Sequence, residues 1–323
     1  MAEKDDNLGG RSSSQPAEWE RELLERFAFA SLKEQRAARR WGIFFKLLFA
    51  GYLVLALVLV RLDTRGVGPR IDADEITAVV DLEGVIAAKT PASADNVVKG
   101  LRRAFEHDKT KGVILRINSP GGSPVQSGYI NDEMHRLREE HPDIPLYAVI
   151  QDVGASGGYY VAVGAEEIYA DKASIIGSIG VRMGGFGFVE AIDDLGIERR
   201  LITAGENKAF LDPFSPVKED HVEHISGVLA EVHDQFINTV RRGRGERLVE
   251  NDALFSGYVW TGEGGLELGL VDGLGSAGYV AREVIGAETL VDFTPQRNVL
   301  DRLARSVGSS IAARLIELRL PSY

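Results

Sequence analysis

Residues 41–60, WGIFFKLLFAGYLVLALVLV, form the longest apolar run in this 323-residue chain, and Lys46 is the one charge within it. A helix of about 20 apolar residues crosses the hydrocarbon core of a bilayer. It also satisfies its backbone hydrogen bonds internally, as lipid requires. A core helix of a soluble domain is rarely apolar all round. A cleaved signal peptide seldom starts after residue 40, and no A-x-A-like site follows the run. Residues 41–61 are therefore read as an uncleaved transmembrane anchor, with Lys46 snorkelling near one end. Lys33, Arg36, Arg39 and Arg40 precede the run, and Arg61 and Arg65 follow it. The positive-inside rule then puts the N-terminus in the cytoplasm and the bulk of the chain outside it.

The anchor divides the chain. Residues 1–40 are expected to be cytoplasmic, disordered over 1–15 and amphipathic over 16–40, where Trp19, Leu23, Phe27 and Ala30 recur at helical spacing. Residues 62–75 read as a Gly/Pro/Asp linker, 76–297 as the catalytic-type domain, and 298–323 as an amphipathic C-terminal tail. In the tail Leu300, Leu303, Val307, Ile311, Leu315 and Leu318 share a face. Within the domain, 76–84, 111–119 and 145–153 read as buried strands, and 165–174 and 198–205 as shorter ones. Helices are expected near 93–107, 124–141, 157–164 and 188–195. A long one is expected to open at Ser215-Pro216, with Val222, Ile225, Leu229, Val232 and Phe236 on its apolar face. Residues 258–276 read as a short helix, a turn and a strand. Strands alternating with helices make an α/β domain with a mainly parallel sheet, whose ligands gather beyond the carboxyl ends of the strands. No internal repeat is seen.

Two of those strand ends carry unusual residues, NSPGGS (118–123) and VGASGG (153–158). Ser156 stands among small residues, where a large substrate can reach it. The net charge of −11 gives no electrostatic support for a nucleic-acid partner. With no cysteine, thiolate nucleophiles, disulfides and zinc–cysteine sites are excluded.

A serine nucleophile needs a base and oxyanion donors. GASGG fits the G-x-S-x-G nucleophile elbow, which calls for a downstream histidine in a loop after a strand. The candidates His221, His224 and His233 all fall in the long charged helix and read as surface histidines. A lysine base must be desolvated. Lys208, in TAGENKAFLDPFSP (203–216), has the most apolar flank among the candidate lysines. Backbone N–H groups at Gly121 and Gly122, and at Gly157 directly after the serine, are the candidate oxyanion donors.

INSPGGS, VGASGGYY, SIIGSIGV, GENKAFLDPF and VWTGEGGLELGLVDGLG, taken in this order across 76–285, resemble the bacterial signal peptide peptidase A family. The resemblance implies a Clp-protease/crotonase-like fold of repeated ββα units and a Ser/Lys dyad that uses no cofactor and no metal. It gives Ser156 as nucleophile, Lys208 as general base, Gly121 and Gly157 as oxyanion donors, Gly122 as turn-shaping, and Ser178 as the residue orienting the lysine. With no internal repeat, the chain resembles the short form, in which neighbouring protomers of a homo-oligomer contribute the serine and lysine of one site. The expected activity is endopeptidase cleavage of apolar, extended peptides such as remnant signal peptides, at the bacterial inner membrane with the domain outside the cytoplasm. The alternative is a catalytically silent peptide-binding or membrane scaffold of the same fold.

Overall fold

The computed structural model describes residues 18–64 and 73–295. The expectations for residues 1–15, for most of the linker and for the tail at 298–323 lie outside the described residues. The chain divides into two units, one holding the N-terminal residues to Arg70 and the other running from Ile71 to Gln296.

In the first unit one helix, α1 (Glu18–Thr64), replaces the two segments expected from the sequence. No glycine or proline between Glu18 and Trp41 interrupts it. Its window Arg39–Val58 has a mean hydropathy of 2.1 and buries nothing within the chain. By length and composition it is able to cross a membrane.

The second unit is built on a sheet whose strands are ordered Val259–Thr261, Ile175–Gly177, Leu146–Ala155, Thr110–Ser119, Ile76–Glu83 and Leu290–Asp292. Its long central strands are β1 (Ile76–Glu83), β2 (Thr110–Ser119) and β3 (Leu146–Ala155). They read as nearly continuous apolar runs because both faces of a parallel sheet are covered. β3 is shared between two neighbours. Tyr147–Ile150 pair with β4 (Glu167–Ala170), and Val153–Ala155 pair with β5 (Ile175–Gly177), all in parallel. β6 (Val259–Thr261) closes that edge antiparallel to β5, β7 (Gly273–Leu274) adds to β4, and β8 (Leu290–Asp292) adds to β1.

Alternation along β1 sorts the core. Ala78, Val80 and Leu82 belong to the larger cluster, together with Val97, Leu101 and Phe105 of α2 (Ala94–Phe105) and Ile130, Met134 and Leu137 of α3 (Pro124–Glu140). Val79 faces the other way, with Ile114, Val149 and the wide turn Val280–Ile285. α4 (Gly157–Ala162) follows β3 directly, and its Tyr159 is buried with its hydroxyl donating to Leu270 O at 2.7 Å. α6 (Glu219–Arg244) is pinned at its C-terminal end. There the buried Arg244 donates to both oxygens of Asp272 at 2.8 Å and to Gly269 O at 2.7 Å.

Two expectations need correction. Residues 198–205 form no strand: Leu201 and Ile202 are exposed, and no residue of 198–205 pairs with a strand. The long helix starts at Glu219 rather than at Pro216, because Ser215 donates its hydroxyl to Asp212 Oδ2 instead of capping the helix. Only Phe236 of the predicted apolar face is buried, and Val222 is exposed. From residue 181 to residue 220 no residue is buried, and this arm holds α5 (Val189–Asp194). The arm folds on itself through Phe188 N–H to Pro213 O at 2.7 Å, an Arg199–Asp212 pair and the Phe188–Phe214 ring stack.

Candidate active site

β2 and β3 run parallel, with Ser119 opposite Gly154, so the turns that follow them lie side by side. This brings SPGG and GASGG together. Ser156 sits at the junction of β3 and α4 with φ 52° and ψ −124°, a conformation that an L-residue rarely adopts and that costs about 1–3 kcal/mol. Its N–H donates to Gly177 O at 2.8 Å and its carbonyl accepts from Tyr160 N–H at 2.9 Å, so backbone on both sides holds the strained position. The side chain is half-buried, and no hydrogen bond to its Oγ occurs among the described residues. This strand-to-helix turn has the strained geometry of a nucleophile elbow, and no histidine bonds Ser156 among the described residues.

The SPGG turn is fixed from the other side. Ile86 N–H donates to Gly121 O at 2.9 Å, and Ser123 N–H donates to Ile86 O at 2.8 Å. The buried Ser119 hydroxyl donates to Gly84 O at 2.7 Å and accepts from Gly121 N–H at 3.1 Å. The N–H of Gly121 is therefore already used. Those of Gly122 and Gly157 have no acceptor among the described residues. They are close, since a methyl group added to Gly157 would sit 3.1 Å from Gly122 N. Side chains have no room here. At Gly121 (φ 97°) a Cβ would meet Gly157 N at 2.5 Å, and at Gly122 (φ 153°) it would meet Ile86 O at 2.1 Å. Sequence reading missed the part played by Ser119, although its place before Pro120 in NSPGGS was the available signal.

Ser178 lies beside this centre, half-buried, with φ 52° and its N–H donating to Tyr258 O at 2.7 Å. Lys208 lies on the arm. It occupies an exposed turn of the arm, its N–H donating to Gly205 O at 3.2 Å, so the desolvation expected from its apolar flank is not found within one chain. The reason is that Ala209, Phe210 and Leu211 lie on the arm and are not buried in the core. Among the described residues no hydrogen bond joins Lys208 to Ser156 or to Ser178.

The histidines are not the surface set that the sequence suggested. His224 is exposed, but His221 is buried and its Nε2–H donates to Asn207 Oδ1 at 3.3 Å. His233 is half-buried and its Nε2–H donates to Ile179 O at 3.1 Å. None bonds Ser156. α6 therefore tethers the Lys208 turn at His221 and the Ser178 turn at His233, and those anchors are about 18 Å apart along the helix axis at 1.5 Å per residue.

Comparison with known proteins fits this geometry. Residues 138–289, which include Ser156, Ser178 and Lys208, match peptidase family S49. A Synechocystis protein provisionally named as a protease is 31% identical over 226 residues, which are 70% of this chain and 78% of that protein. An Enterococcus faecium protein provisionally named signal peptide peptidase SppA is 32% identical over 180 residues, which are 56% of this chain and 52% of that protein. The Na(+)/H(+) antiporter NhaA of Brucella abortus is 42% identical over 209 residues, which are 64% of this chain. The chain spans only 28% of the length of that Brucella protein. With a sheet of the Clp-protease/crotonase kind and these similarities, the chain belongs to peptidase family S49, the family of signal peptide peptidase A.

Proposed function

We propose that the chain is a membrane-anchored serine endopeptidase that cleaves extended, apolar peptides, including signal-peptide remnants left in the bilayer. The observation that carries this reading is Ser156, held at positive φ beside two N–H groups that have no acceptor among the described residues. A site kept strained in this way is suited to attack on a carbonyl whose oxygen becomes charged. In this reading Ser156 Oγ attacks the peptide carbonyl and Lys208 takes its proton. Protonated Lys208 then gives that proton to the nitrogen of the leaving amine as the C–N bond breaks, and the neutral lysine next takes a proton from the water that attacks the acyl-enzyme and returns it to Ser156 Oγ. Gly122 and Gly157 donate to the oxyanion. Gly121, its own N–H held by Ser119, shapes the turn, and Ser178 orients the lysine.

The separation of the two anchors on α6 favours a Lys208 supplied by a second copy of the chain. The arm that carries it exposes Met183, Phe186, Ile197, Ile202 and Phe214 to solvent, an apolar surface suited to such a neighbour. The anchor is α1, with its basic flank in the cytoplasm and the 71–296 unit across the bacterial inner membrane. A fluorophosphonate probe tests the nucleophile: wild type labels and Ser156→Ala does not. Mixing inactive Ser156→Ala with inactive Lys208→Ala chains should restore part of the peptide hydrolysis if sites are shared. Absence of labelling in wild type would leave a silent scaffold of the same fold as the function.

A further inference from the structure

The turn that carries Lys208 buries no side chain in the core, yet it is held on both sides of the lysine by one turn of α6. Asn207, immediately before Lys208, accepts from the buried His221 ring at 3.3 Å. Phe210, two residues after it, meets His221 edge-on at 6.2 Å between centroids and His224 at 6.3 Å. Because Asn207 Oδ1 is an acceptor only, His221 Nε2 must carry its proton in this arrangement. A buried histidine with one polar partner and one aromatic partner on the same short turn has little other role in the fold. Its neighbours Val222 and Glu223 are exposed, so this stretch of helix contributes little to the main core.

We propose that His221 is a positioning residue for Lys208, a clamp that sets where the lysine projects from the arm. The inference rests on the reading of Lys208 as general base, but the clamp itself is measurable without activity. Without it, the turn keeps the Phe210–His224 ring contact and local bonds such as Lys208 N–H to Gly205 O at 3.2 Å and Phe210 N–H to Asn207 O at 3.1 Å. Such local turns open readily.

The test uses the full chain in detergent. Hydrogen–deuterium exchange across 205–212 should quicken about 5-fold or more in His221→Ala, the factor that one net hydrogen bond carries. In His221→Gln, whose amide N–H reaches the same oxygen, it should return toward wild type. His233→Ala should leave that segment unchanged, because its bond is to Ile179. For hydrolysis of an internally quenched apolar peptide, His221→Ala should lower kcat on the order of 10-fold with KM held, and His221→Gln should recover most of the loss. Exchange over 205–212 that is the same in His221→Ala as in wild type overturns the clamp. So does equal loosening in His233→Ala, which would mean general loosening of α6. If exchange responds as expected while Lys208→Ala retains full activity, the clamp stands and the lysine-base reading falls.

Discussion

Gly157→Ala is the sharpest probe of the proposed oxyanion pair, because the structure says what the added methyl would strike. Its Cβ would lie 2.6 Å from Ser127 Oγ, 3.1 Å from Gly122 N and 3.4 Å from Gly121 Cα, where ordinary contact begins near 3.4 Å. Ser127 is fully buried and its hydroxyl donates to Ser123 O at 3.1 Å, so it has little freedom to swing aside. The strain is relieved by parting α4 from the SPGG turn, which separates the two donors. Losing one oxyanion donor costs about 10²–10³ in kcat, or about 3–4 kcal/mol. The expected result for an internally quenched apolar peptide is a kcat lowered about 10²-fold with KM little changed. Fluorophosphonate labelling in parallel would check that Ser156 remains reachable. Adding Ser127→Ala removes the nearest obstacle but leaves Gly122 N at 3.1 Å, so the double variant should recover only part of the loss. Gly121→Ala offers no such relief, because it meets backbone at 2.5 Å and requires φ 97°. Wild-type kcat in Gly157→Ala would refute the assignment of the donors, and no recovery in the double variant would refute the steric argument.

Other outcomes follow from the same structure. Asp272→Asn should destabilise the 71–296 unit by about 3 kcal/mol or more, since it leaves the buried Arg244 without its counter-charge. Burial pushes the Asp272 carboxyl up, but the bonds and charge of Arg244, the Ile168 N–H and Arg247 outweigh it and hold it below the usual carboxylate range. Its contribution is thus complete above about pH 4 and lost as pH falls through the lowered value, so Asp272→Asn should flatten the acid limb of a thermal-melt series. Glu133 is pulled down to about 2, first by its bond from Arg136 and then, against burial, by Arg102. Glu133→Gln should lower Tm at pH 7, and the gap should close as pH falls from about 4 toward 2. Phe186→Asp with Ile202→Asp, two exposed arm positions, should reduce assembly size by light scattering and abolish hydrolysis while leaving far-ultraviolet circular dichroism unchanged; a fully assembled, active double variant would count against the arm as an interface.

The central strands were legible because β1, β2 and β3 each carry a buried apolar run, Ala78–Val80, Val113–Leu115 and Ala148–Ile150, and β2 and β3 end in glycine- and serine-containing turns. The SPGG and GASGG turns were legible too, because crowding around Gly121, Gly122 and Gly157 leaves no choice of residue. The false strand at 198–205 shows where such reading fails. LIT is a strand-like tripeptide, but strand formation needs a neighbour, and Ile202 projects into solvent without one. Periodicity likewise overstated the apolar face of α6, since Val222 and Phe236 look alike in sequence and only Phe236 reaches the core. The histidines were misread because burial of His221 depends on Asn207 and Phe210, contacts across 14 and 11 positions that no local window contains.

The arm is the part of the chain whose energetics remain unbalanced within one copy. Ordering a residue costs about 1–2 kcal/mol in backbone entropy, and burial normally offsets it. From residue 181 to residue 220 nothing is buried. The tethers that hold the arm, Arg199 to Asp212 at 3.2 Å and Phe188 against Phe214, are surface contacts, and such contacts stabilise little. Such a segment gains its order from whatever covers its exposed apolar side chains. A lysine that is to act as a base needs the same thing, because only surroundings from which water is removed favour its neutral form. Lys208 sits on the arm and is exposed in a single chain. In the proposed enzyme, one event, covering of the arm by a second copy, supplies both the missing burial and the dry surroundings of the base. Activity should then follow assembly, with the strained Ser156 already in place beforehand.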